Sequence, residues 1–513
     1  MKFFVFLKRL FIWLCVAAID IPSFAGDPVN PNATPEARAL LDLIYRISGK
    51  YTLTGQHNFP NTHDKNSRFA AKYTGHTPVI WSTDMGFAKD GDTDSYLARP
   101  DIVKEAIRKF KKGALITICW HAVPPTANEP VTFQPRGPVA KDSLASVQGQ
   151  LTDEQFKELL TPGTKLYNHW AQQVDSVAVY LKQLQDAHVP VLWRPYHEMN
   201  GDWFWWGGRV GEYSTVKLYR QLYDRLVNVH KLNNLVWVWS VDRPSTPIRK
   251  FSNFYPGNDY LDILALDVYG SDFNQAYYDS LMSLSKGKPI TLAEVGNPPS
   301  NEVLRNQPNW TYWVIWAGMV RNTTKQQFKD LYSNPRLLSL DNPDFWRVAN
   351  PFRLACGLPP LPLKSKYPAN FSGEWALNEE KSVELNPAGL GNSTAFHISA
   401  EQDDDQLQLK RSYVVEWGDD RVTNETILLD GSEMKTEFFN MPRISKTIWD
   451  KNQKKLTISS RAIFNRGGRP VEMSSQEEWT LENGGKTLKI VQTSTGFRDG
   501  EKKLILLYDR QPE

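Results

Sequence analysis

The chain has 513 residues, of which 41% are hydrophobic and 23% are charged, and its formal net charge is +3. A chain of this length exceeds one ordinary hydrophobic core, so two to three domains are expected, and its apolar content excludes a disordered protein. The nearly balanced charge excludes the strongly basic surface of a nucleic-acid-binding protein, and no nucleic-acid partner is predicted.

Residues 1–25 predict a cleaved secretory signal peptide. They begin with basic side chains, continue with an apolar stretch over residues 10–18 and end in small residues before Gly26. The apolar stretch is too short to span a bilayer, and no later run reaches about eighteen uncharged apolar residues. We therefore expect a secreted or periplasmic protein with no membrane span. Cys119 and Cys356 remain in the mature chain; free thiols are favoured, and their pairing is left open.

Between residues 40 and 350, eight apolar segments alternate with amphipathic helical segments. Strands that alternate with helices pair in parallel, either in a closed barrel or in an open doubly wound sheet. Eight units are present and no glycine-rich phosphate turn follows the first strand, so we predict a (β/α)8 TIM barrel. The predicted strands lie at residues 51–57, 77–84, 114–121, 189–198, 234–242, 261–270, 288–296 and 310–318.

The pattern changes after the barrel. Residues 351–368 are rich in proline and predict a stiff linker. Residues 369–513 contain short alternating segments separated by Gly- and Asp-rich turns, which predict a small all-β antiparallel barrel or sandwich domain. Its opening, Phe371–Trp375, resembles the start of lipocalin-like barrels. Three roles stay open for this domain: a carbohydrate-binding module, a small-molecule barrel and a structural appendage. Its predicted strands lie at residues 406–417, 424–431, 454–464, 477–481, 486–494 and 502–509.

Two glutamates close predicted barrel strands: Glu198 ends the fourth strand and Glu294 ends the seventh. All strands of a parallel barrel deliver their last residues to one face, and these two strands lie nearly opposite each other. The carboxylates are therefore expected to face each other across the barrel mouth. Either glutamate alone fits a structural ion pair, but two facing carboxylates are the catalytic groups that glycoside hydrolases use. A separation of about 5–5.5 Å is typical of enzymes that retain the configuration at the anomeric carbon.

The segment RPYHEMNGDWFWW (194–206), with LTGQH (53–57), WH (120–121) and LAEVG (292–296), resembles glycoside hydrolase family 26 of clan A over roughly residues 45–340. The resemblance implies a retaining β-mannanase on a (β/α)8 barrel. It implies Glu198 as the acid/base and Glu294 as the nucleophile. It also implies a set of residues that line the sugar subsite: His121, Trp203, Tyr269 and Trp316.

Several neighbouring side chains have a physical role to play in such a site. The aromatic residues that follow Glu198 favour its protonated form, and the Tyr269 hydroxyl can keep Glu294 ionised. His197 is expected to bind a sugar hydroxyl or to orient Glu294; a buried histidine bonded to backbone is the alternative. Arg194 fits either a partner of the carboxylate pair or a salt bridge within the barrel. Asp84 and Asp267 fit hydroxyl ligands or helix caps, with Asp267 expected behind the substrate-contacting layer.

The predicted function is that of a secreted retaining hydrolase that cleaves β-1,4-mannosidic bonds in mannan or galactomannan by double displacement. Two alternatives are kept: the same fold acting on another β-glycan, such as mixed-linkage glucan or xylan, and a polysaccharide-binding protein without catalysis. The expected partner is β-mannan or a related plant polysaccharide, and a monomer is expected. No cofactor and no metal are predicted, because no Cys or His cluster has metal-ligand spacing. Attack within the polysaccharide chain or at its end is left open.

Overall fold

The computed structural model describes residues 26–86, 95–128, 146–362, 367–384, 394–402, 405–415, 419–438, 441–466, 469–497 and 500–511. The predicted signal peptide lies outside the described residues, as does part of the long segment after the third predicted barrel strand. The chain divides into two compact units, Met1–Leu363 and Lys364–Glu513. Within the described ranges, no helix is both long enough and apolar enough to cross a membrane. Cys119 and Cys356 are free thiols.

The first unit is built on a closed ring of eight parallel strands, which confirms the predicted TIM barrel. Each strand of the ring pairs with the next, and the last strand pairs with both its predecessor and the first, so that no edge remains. Two short strands, β1 (Thr52–Leu53) and β10 (Leu337–Leu338), lie beside the last ring strand. The ring strands are β2 (Gly55–His57), β3 (Ile80–Asp84), β4 (Leu115–Trp120), β5 (Val191–Pro195), β6 (Leu235–Asp242), β7 (Ile263–Val268), β8 (Ile290–Val295) and β9 (Trp310–Ile315).

Helices surround the ring and most begin at a side-chain cap. Thr164, Ser214 and Thr324, for example, each accept a backbone N–H of the first helical turn. The last helix is fixed to the barrel, because Phe352 is buried in its core and Arg353 donates to backbone carbonyl oxygens of the preceding α3–β4 turn. The helices are α1 (Pro35–Ile47), α2 (Lys65–Thr74), α3 (Ser95–Lys111), α4 (Asp153–Leu159), α5 (Lys165–Asp186), α6 (Thr215–Asp224), α7 (Gln275–Ser285), α8 (Asn301–Asn306), α9 (Lys325–Tyr332) and α10 (Pro343–Ala355).

The ring strands are buried along nearly their whole length, which explains their continuous apolar sequences. Their carboxyl ends carry the ionisable residues in register. Asp242, Asp267 and Glu294 are paired neighbours on β6, β7 and β8. Cys119 of β4 pairs with Asp84 on one side and Arg194 on the other. The fold thus gathers these side chains at one end of the barrel.

The second unit is a nearly closed antiparallel sheet, which confirms the predicted all-β class. Strand β21 pairs with β11 and β20, and β12 also pairs with β21. The strand order ends at β15 and β16, and near these ends β15 and β17 approach each other: Arg443 Nη1 on β17 donates to Glu425 Oε1 on β15 at 2.7 Å. The strands are β11 (Gly373–Leu377), β12 (Val383–Glu384), β13 (His397–Gln402), β14 (Gln406–Tyr413), β15 (Arg421–Leu428), β16 (Met434–Phe438), β17 (Met441–Trp449), β18 (Lys455–Arg466), β19 (Arg469–Glu482), β20 (Thr487–Phe497) and β21 (Gly500–Arg510).

An ion pair crosses the interior of this second unit. Arg411 on β14 donates from Nη1 and Nη2 to the two carboxylate oxygens of Glu477 on β19, each at 2.8 Å. Trp479 Nε1 donates to the same carboxylate at 2.8 Å. Burial raises the pKa of Glu477, but the charge of Arg411 and these hydrogen bonds outweigh it and lower the pKa to about 2. The pair is therefore ionised at neutral pH.

We predict that Glu477→Ala destabilises the second unit by about 3–5 kcal/mol, because it leaves the buried Arg411 guanidinium without its counter-charge. Amide hydrogen exchange of β14 and β19 peptides in the full chain measures the loss. The matched control is Glu478→Ala, since Glu478 makes a half-exposed salt bridge to Lys455 at 3.1 Å and should contribute no more than about 1 kcal/mol. Equal losses in the two variants would contradict the prediction.

The same ion pair has a defined pH dependence. The pKa of Glu477 in the folded chain, about 2, lies below its ordinary value of 4.5. Its contribution to stability is therefore fully present above about pH 4.5 and is lost as the pH falls towards 2. Protection of β14 and β19 should decrease over that interval in the unmodified chain, and should decrease less in Glu477→Ala.

Candidate active site

Glu198 and Glu294 reach the barrel mouth by different backbone routes. Glu294 is the penultimate residue of β8, whereas Glu198 lies just beyond β5, in a turn. Tyr196 and Glu198 have φ values of 46° and 50°, in the left-handed region that non-glycine residues rarely adopt. Such conformations cost roughly 1–3 kcal/mol each and concentrate at functional sites. They turn the chain sharply as it leaves β5.

The two carboxylates meet. A carboxylate oxygen of Glu198 and one of Glu294 lie within 4.8 Å of each other, and Asp267 contributes an oxygen within the same limit. Both glutamates are nearly inaccessible, with 8% and 5% of their surface exposed. The distance is that of two groups acting on one atom between them.

Glu294 has a charged and strongly hydrogen-bonded environment. The Tyr269 hydroxyl donates a short hydrogen bond to Oε1, and Arg194 Nη2 donates to Oε2 at 2.7 Å. Arg194 is itself buried, and its Nη1 donates to Asp267 Oδ2 at 2.7 Å. Ser240 donates to the other Asp267 oxygen at 2.7 Å. Both oxygens of Glu294 therefore accept hydrogen bonds, which fixes the orientation of the carboxylate.

Glu198 has the opposite environment. Burial raises its pKa well above the ordinary value, and the negative charge of Glu294 raises it further. One hydrogen bond opposes this shift: Trp203 Nε1 donates to Glu198 Oε2 at 2.7 Å. Burial and the neighbouring carboxylates therefore favour the protonated form of Glu198. The two members of the pair thus lie in different environments.

Two histidines lie beside the carboxylate pair. The rings of His121 and His197 meet edge to face, with centroids 4.3 Å apart. Asp84 forms a short hydrogen bond to His121 Nδ1 and also accepts the His121 backbone N–H at 3.1 Å. These two contacts fix the orientation of the His121 ring. Burial and then the Arg194 charge hold the pKa of His197 well below its ordinary value. His197 is therefore a neutral hydrogen-bonding group.

Two partly exposed indoles complete the cluster. Trp316 lies flat on His57, with ring centroids 3.9 Å apart and an interplanar angle of 14°. Burial lowers the pKa of His57 to about 3, so this stacking partner is uncharged. The Trp316 ring also lies 6.0 Å from His121. Trp203 and Trp316 thus supply flat apolar faces beside the carboxylates, the kind of surface on which a sugar ring stacks.

The structure brings all seven predicted site residues into one cluster: Glu198 bonds Trp203, Glu294 bonds Tyr269, and His121 contacts both His197 and Trp316. Further tryptophans expected to serve packing are fully buried, namely Trp205, Trp206, Trp237 and Trp239.

Sequence reasoning did not find several supporting contacts. Asp84 pairs with His121, although sequence reasoning gave it only a hydroxyl-binding or helix-capping role. His57, left undecided, stacks on Trp316. The one signal that pointed to these contacts was position, because each residue ends or directly follows a barrel strand.

Among the residues that the structure describes, two groups of side chains have the spacing of metal ligands: Asp84, Cys119 and His121, and the carboxylates of Glu198, Asp267 and Glu294. In the second group, Arg194 already donates to two of the carboxylates. In the first, Asp84 accepts hydrogen bonds from backbone N–H groups as well as from His121. Protein donors thus occupy the oxygens that a cation would use, so we assign no metal to either group.

Proteins similar to the chain are sugar-cleaving enzymes. A mannan endo-1,4-beta-mannosidase of Thermothelomyces thermophilus is 33% identical over 355 residues, which cover 65% of this chain and 68% of that protein. One of Bacillus subtilis is 28% identical over 369 residues, covering 64% and 94% of the two chains.

Solved structures match the same share of the chain. GH26A from a Muricauda species superposes with a TM-score of 0.56 at 42% identity, covering 61% of this chain and 98% of that chain. A GH26-CBM35 beta-(1,4)-mannanase of Podospora anserina gives 0.51 at 29% identity, covering 61% and 68%.

The family match places these similarities on the barrel. Residues 29–342 match the model of glycosyl hydrolase family 26, and this range contains the barrel strands and all seven predicted site residues. The second unit lies outside the matched range. Because the match covers more than half of the chain, the protein belongs to glycosyl hydrolase family 26.

Proposed function

We propose that the protein is an exported, monomeric retaining β-mannanase that cleaves β-1,4-mannosidic bonds in mannan or galactomannan. One observation carries the mechanism: two carboxylates with opposite environments lie within 4.8 Å of each other at the barrel mouth. At this separation one carboxylate can attack the anomeric carbon directly. A wider separation would be needed for a water molecule to fit between a carboxylate and the sugar. The activities named for the relatives support mannan as the substrate.

In the first half of the reaction, Glu294 attacks the anomeric carbon while Glu198 transfers its proton to the departing glycosidic oxygen. The carbon–oxygen bond of the substrate breaks, and an ester bond forms between the sugar and Glu294. Tyr269 and Arg194 each donate a hydrogen bond to Glu294 and so orient its carboxylate for attack. A protonated Glu198 stabilises the leaving group, because the departing oxygen leaves as a neutral hydroxyl.

In the second half, Glu198 accepts a proton from water, and the oxygen of that water displaces Glu294 from the sugar. Glu198 changes from acid to base because the charge on neighbouring Glu294 changes. Ester formation removes the negative charge of Glu294, which is one of the causes that raise the Glu198 pKa. The pKa of Glu198 therefore falls once the intermediate has formed, and the ionised form becomes the base.

His121, His197, Trp203 and Trp316 form the proposed sugar subsite. The oriented imidazole of His121 and the neutral imidazole of His197 offer hydrogen bonds to ring hydroxyls, and the two indoles offer stacking faces. Mannose and glucose differ only in the orientation of the 2-hydroxyl, so hydrogen bonds at this position decide between mannan and glucan.

The substrate assignment is tested by incubating the purified chain with linear mannan, galactomannan, mixed-linkage glucan and xylan. We expect reducing ends to be released from the two mannans, with Glu294→Ala lowering the rate by at least about 10⁴-fold because the nucleophile is lost. The matched control is Glu302→Ala, an exposed glutamate at the start of α8 that should retain full activity. Preferred release from glucan or xylan would favour the same mechanism on another β-glycan. Binding without any release would favour a non-catalytic protein.

We predict that Trp203→Phe shifts the alkaline limb of the kcat/KM profile upward by about one pH unit. The substitution removes the indole N–H that stabilises ionised Glu198 at 2.7 Å, so the acid stays protonated to higher pH. The same loss should slow the second half-reaction, in which Glu198 must ionise.

The control for this prediction is Trp346→Phe on α10, which also loses an indole hydrogen bond, to the Leu340 carbonyl at 2.8 Å, but away from the carboxylates. Its alkaline limb should not move. An alkaline limb that stays in place, or moves downward, in Trp203→Phe would remove the assigned role of this hydrogen bond.

A further inference from the structure

The second unit has a layered interior that can be read directly from strand register. Residues that pair across neighbouring strands point to the same face of the sheet. The inward-facing residues of β17 to β21 therefore form successive levels, with one residue from each strand in each level. The first of three levels is apolar: Leu456, Trp479, Ile490 and Leu506 are buried and Trp449 is partly buried. The middle level contains Thr447, Ile458, Glu477, Gln492 and Leu504.

The third level consists of small polar side chains. Ser445, Ser460, Ser475 and Ser494 are paired in sequence across β17, β18, β19 and β20, and Lys502 on β21 continues the row. A packed barrel core requires large apolar side chains at such positions. Four consecutive serines instead place short side chains with hydroxyl groups there. We infer that the sheet encloses a chamber at this level.

Buried charges border this serine row. Arg443 Nη2 donates to Ser460 Oγ at 2.9 Å, and its Nη1 binds Glu425, while Arg411 binds Glu477 across the interior. Two polar atoms of these buried residues have no hydrogen-bond partner among the described residues: Arg411 Nε and Glu425 Oε2. An unpartnered donor and an unpartnered acceptor inside a protein are costly, and a bound polar molecule would satisfy both.

The serine row is partly accessible on the β19 and β20 side, whereas Ser445 and Ser460 are buried. Ser475 and Ser494 are only half-buried, as is Gln492 one level below, although their strand register directs all three to the same face as buried Glu477 and Trp479. The positions beneath them are closed by buried Trp479 and Ile490. A molecule therefore enters from the polar side and stops at the apolar floor.

We propose that this chamber binds a neutral polyhydroxylated molecule of the size of one sugar unit. Each guanidinium there already has its own carboxylate, so an anion bound at either arginine would compete with an existing ion pair. A sugar carries hydroxyl groups that donate and accept, which matches one free acceptor, one free donor and a row of serines. The apolar floor matches the less polar face of the ring.

The chamber is a binding site separate from the proposed catalytic pair, because it lies wholly within the second unit. Its occupancy is tested with monosaccharides, which offer no glycosidic bond to cleave. Mannose, galactose and glucose, with octanoate as an anionic amphiphile, are titrated into the full chain by calorimetry. We expect at least one of the neutral sugars to bind, and octanoate not to bind.

A matched pair of double variants locates the binding. Ser475→Leu with Ser494→Leu fills the chamber from two paired inward positions and should weaken sugar binding at least tenfold. Gln476→Leu with Thr493→Leu changes the adjacent paired positions of the same two strands, which face outward, and should leave binding unchanged. Ser494→Val alone is the milder variant, with at least a threefold loss expected, for use if the inward double variant fails to fold.

Three results would overturn the proposal. The first is that no neutral sugar binds. The second is that octanoate binds and sugars do not, which would make the chamber a site for amphiphilic anions. The third is that sugar binding is the same in the inward and outward variants, which would place it elsewhere in the chain. Hydrolysis of mannan by the same preparations reports separately on the catalytic pair.

Discussion

The chemistry of the barrel mouth depends on one buried cation. Arg194 bonds both Asp267 and Glu294, and it is almost wholly removed from water. Three carboxylates within 4.8 Å of one another cannot all be ionised in a buried site without such compensation. Arg194 bonds Glu294 and Asp267 but not Glu198. Its positive charge therefore compensates the charge of those two carboxylates more than that of Glu198. Glu294 therefore has a charged hydrogen-bond donor, Arg194, whereas the hydrogen bond to Glu198 comes from the uncharged Trp203 indole, and the proposed double displacement depends on this difference.

Much of this arrangement could be predicted from sequence. The barrel follows from buried parallel strands with continuous apolar runs, and Glu198 and Glu294 stood out because charged residues ended two of those runs. The supporting contacts could not be predicted in the same way. Asp84 meets His121, and His57 meets Trp316, across strands that are distant in sequence or through ring stacking that no spacing encodes. The left-handed backbone of Tyr196 and Glu198 likewise follows from tertiary packing rather than from residue type.

The second unit shows why strand prediction failed where it did. Strands β11, β12, β13, β16 and β17 were not among the predicted strands. For β17 the reason is that its residues do not alternate in the usual way between apolar inward and polar outward positions. On β17 the inward positions are Arg443, Ser445 and Thr447, all buried, while Ile448 faces outward with 63% of its surface exposed. On β17, polar side chains face inward and an apolar side chain faces outward, which is the reverse of the usual strand pattern. The buried polar residues that obscured β17 in the sequence belong to the polar levels described for this unit.

Trapping the covalent glycosyl-enzyme intermediate tests the proposed mechanism most directly. A 2-deoxy-2-fluoro-β-mannosyl fluoride slows both half-reactions and has a good leaving group, so the sugar should accumulate on the nucleophile. Mass spectrometry of digested protein is predicted to find one fluoromannosyl group on the peptide that contains Glu294. A label on Glu198, or hydrolysis with inversion and no labelled peptide, would contradict the proposed pairing of an anionic Glu294 with a protonated Glu198.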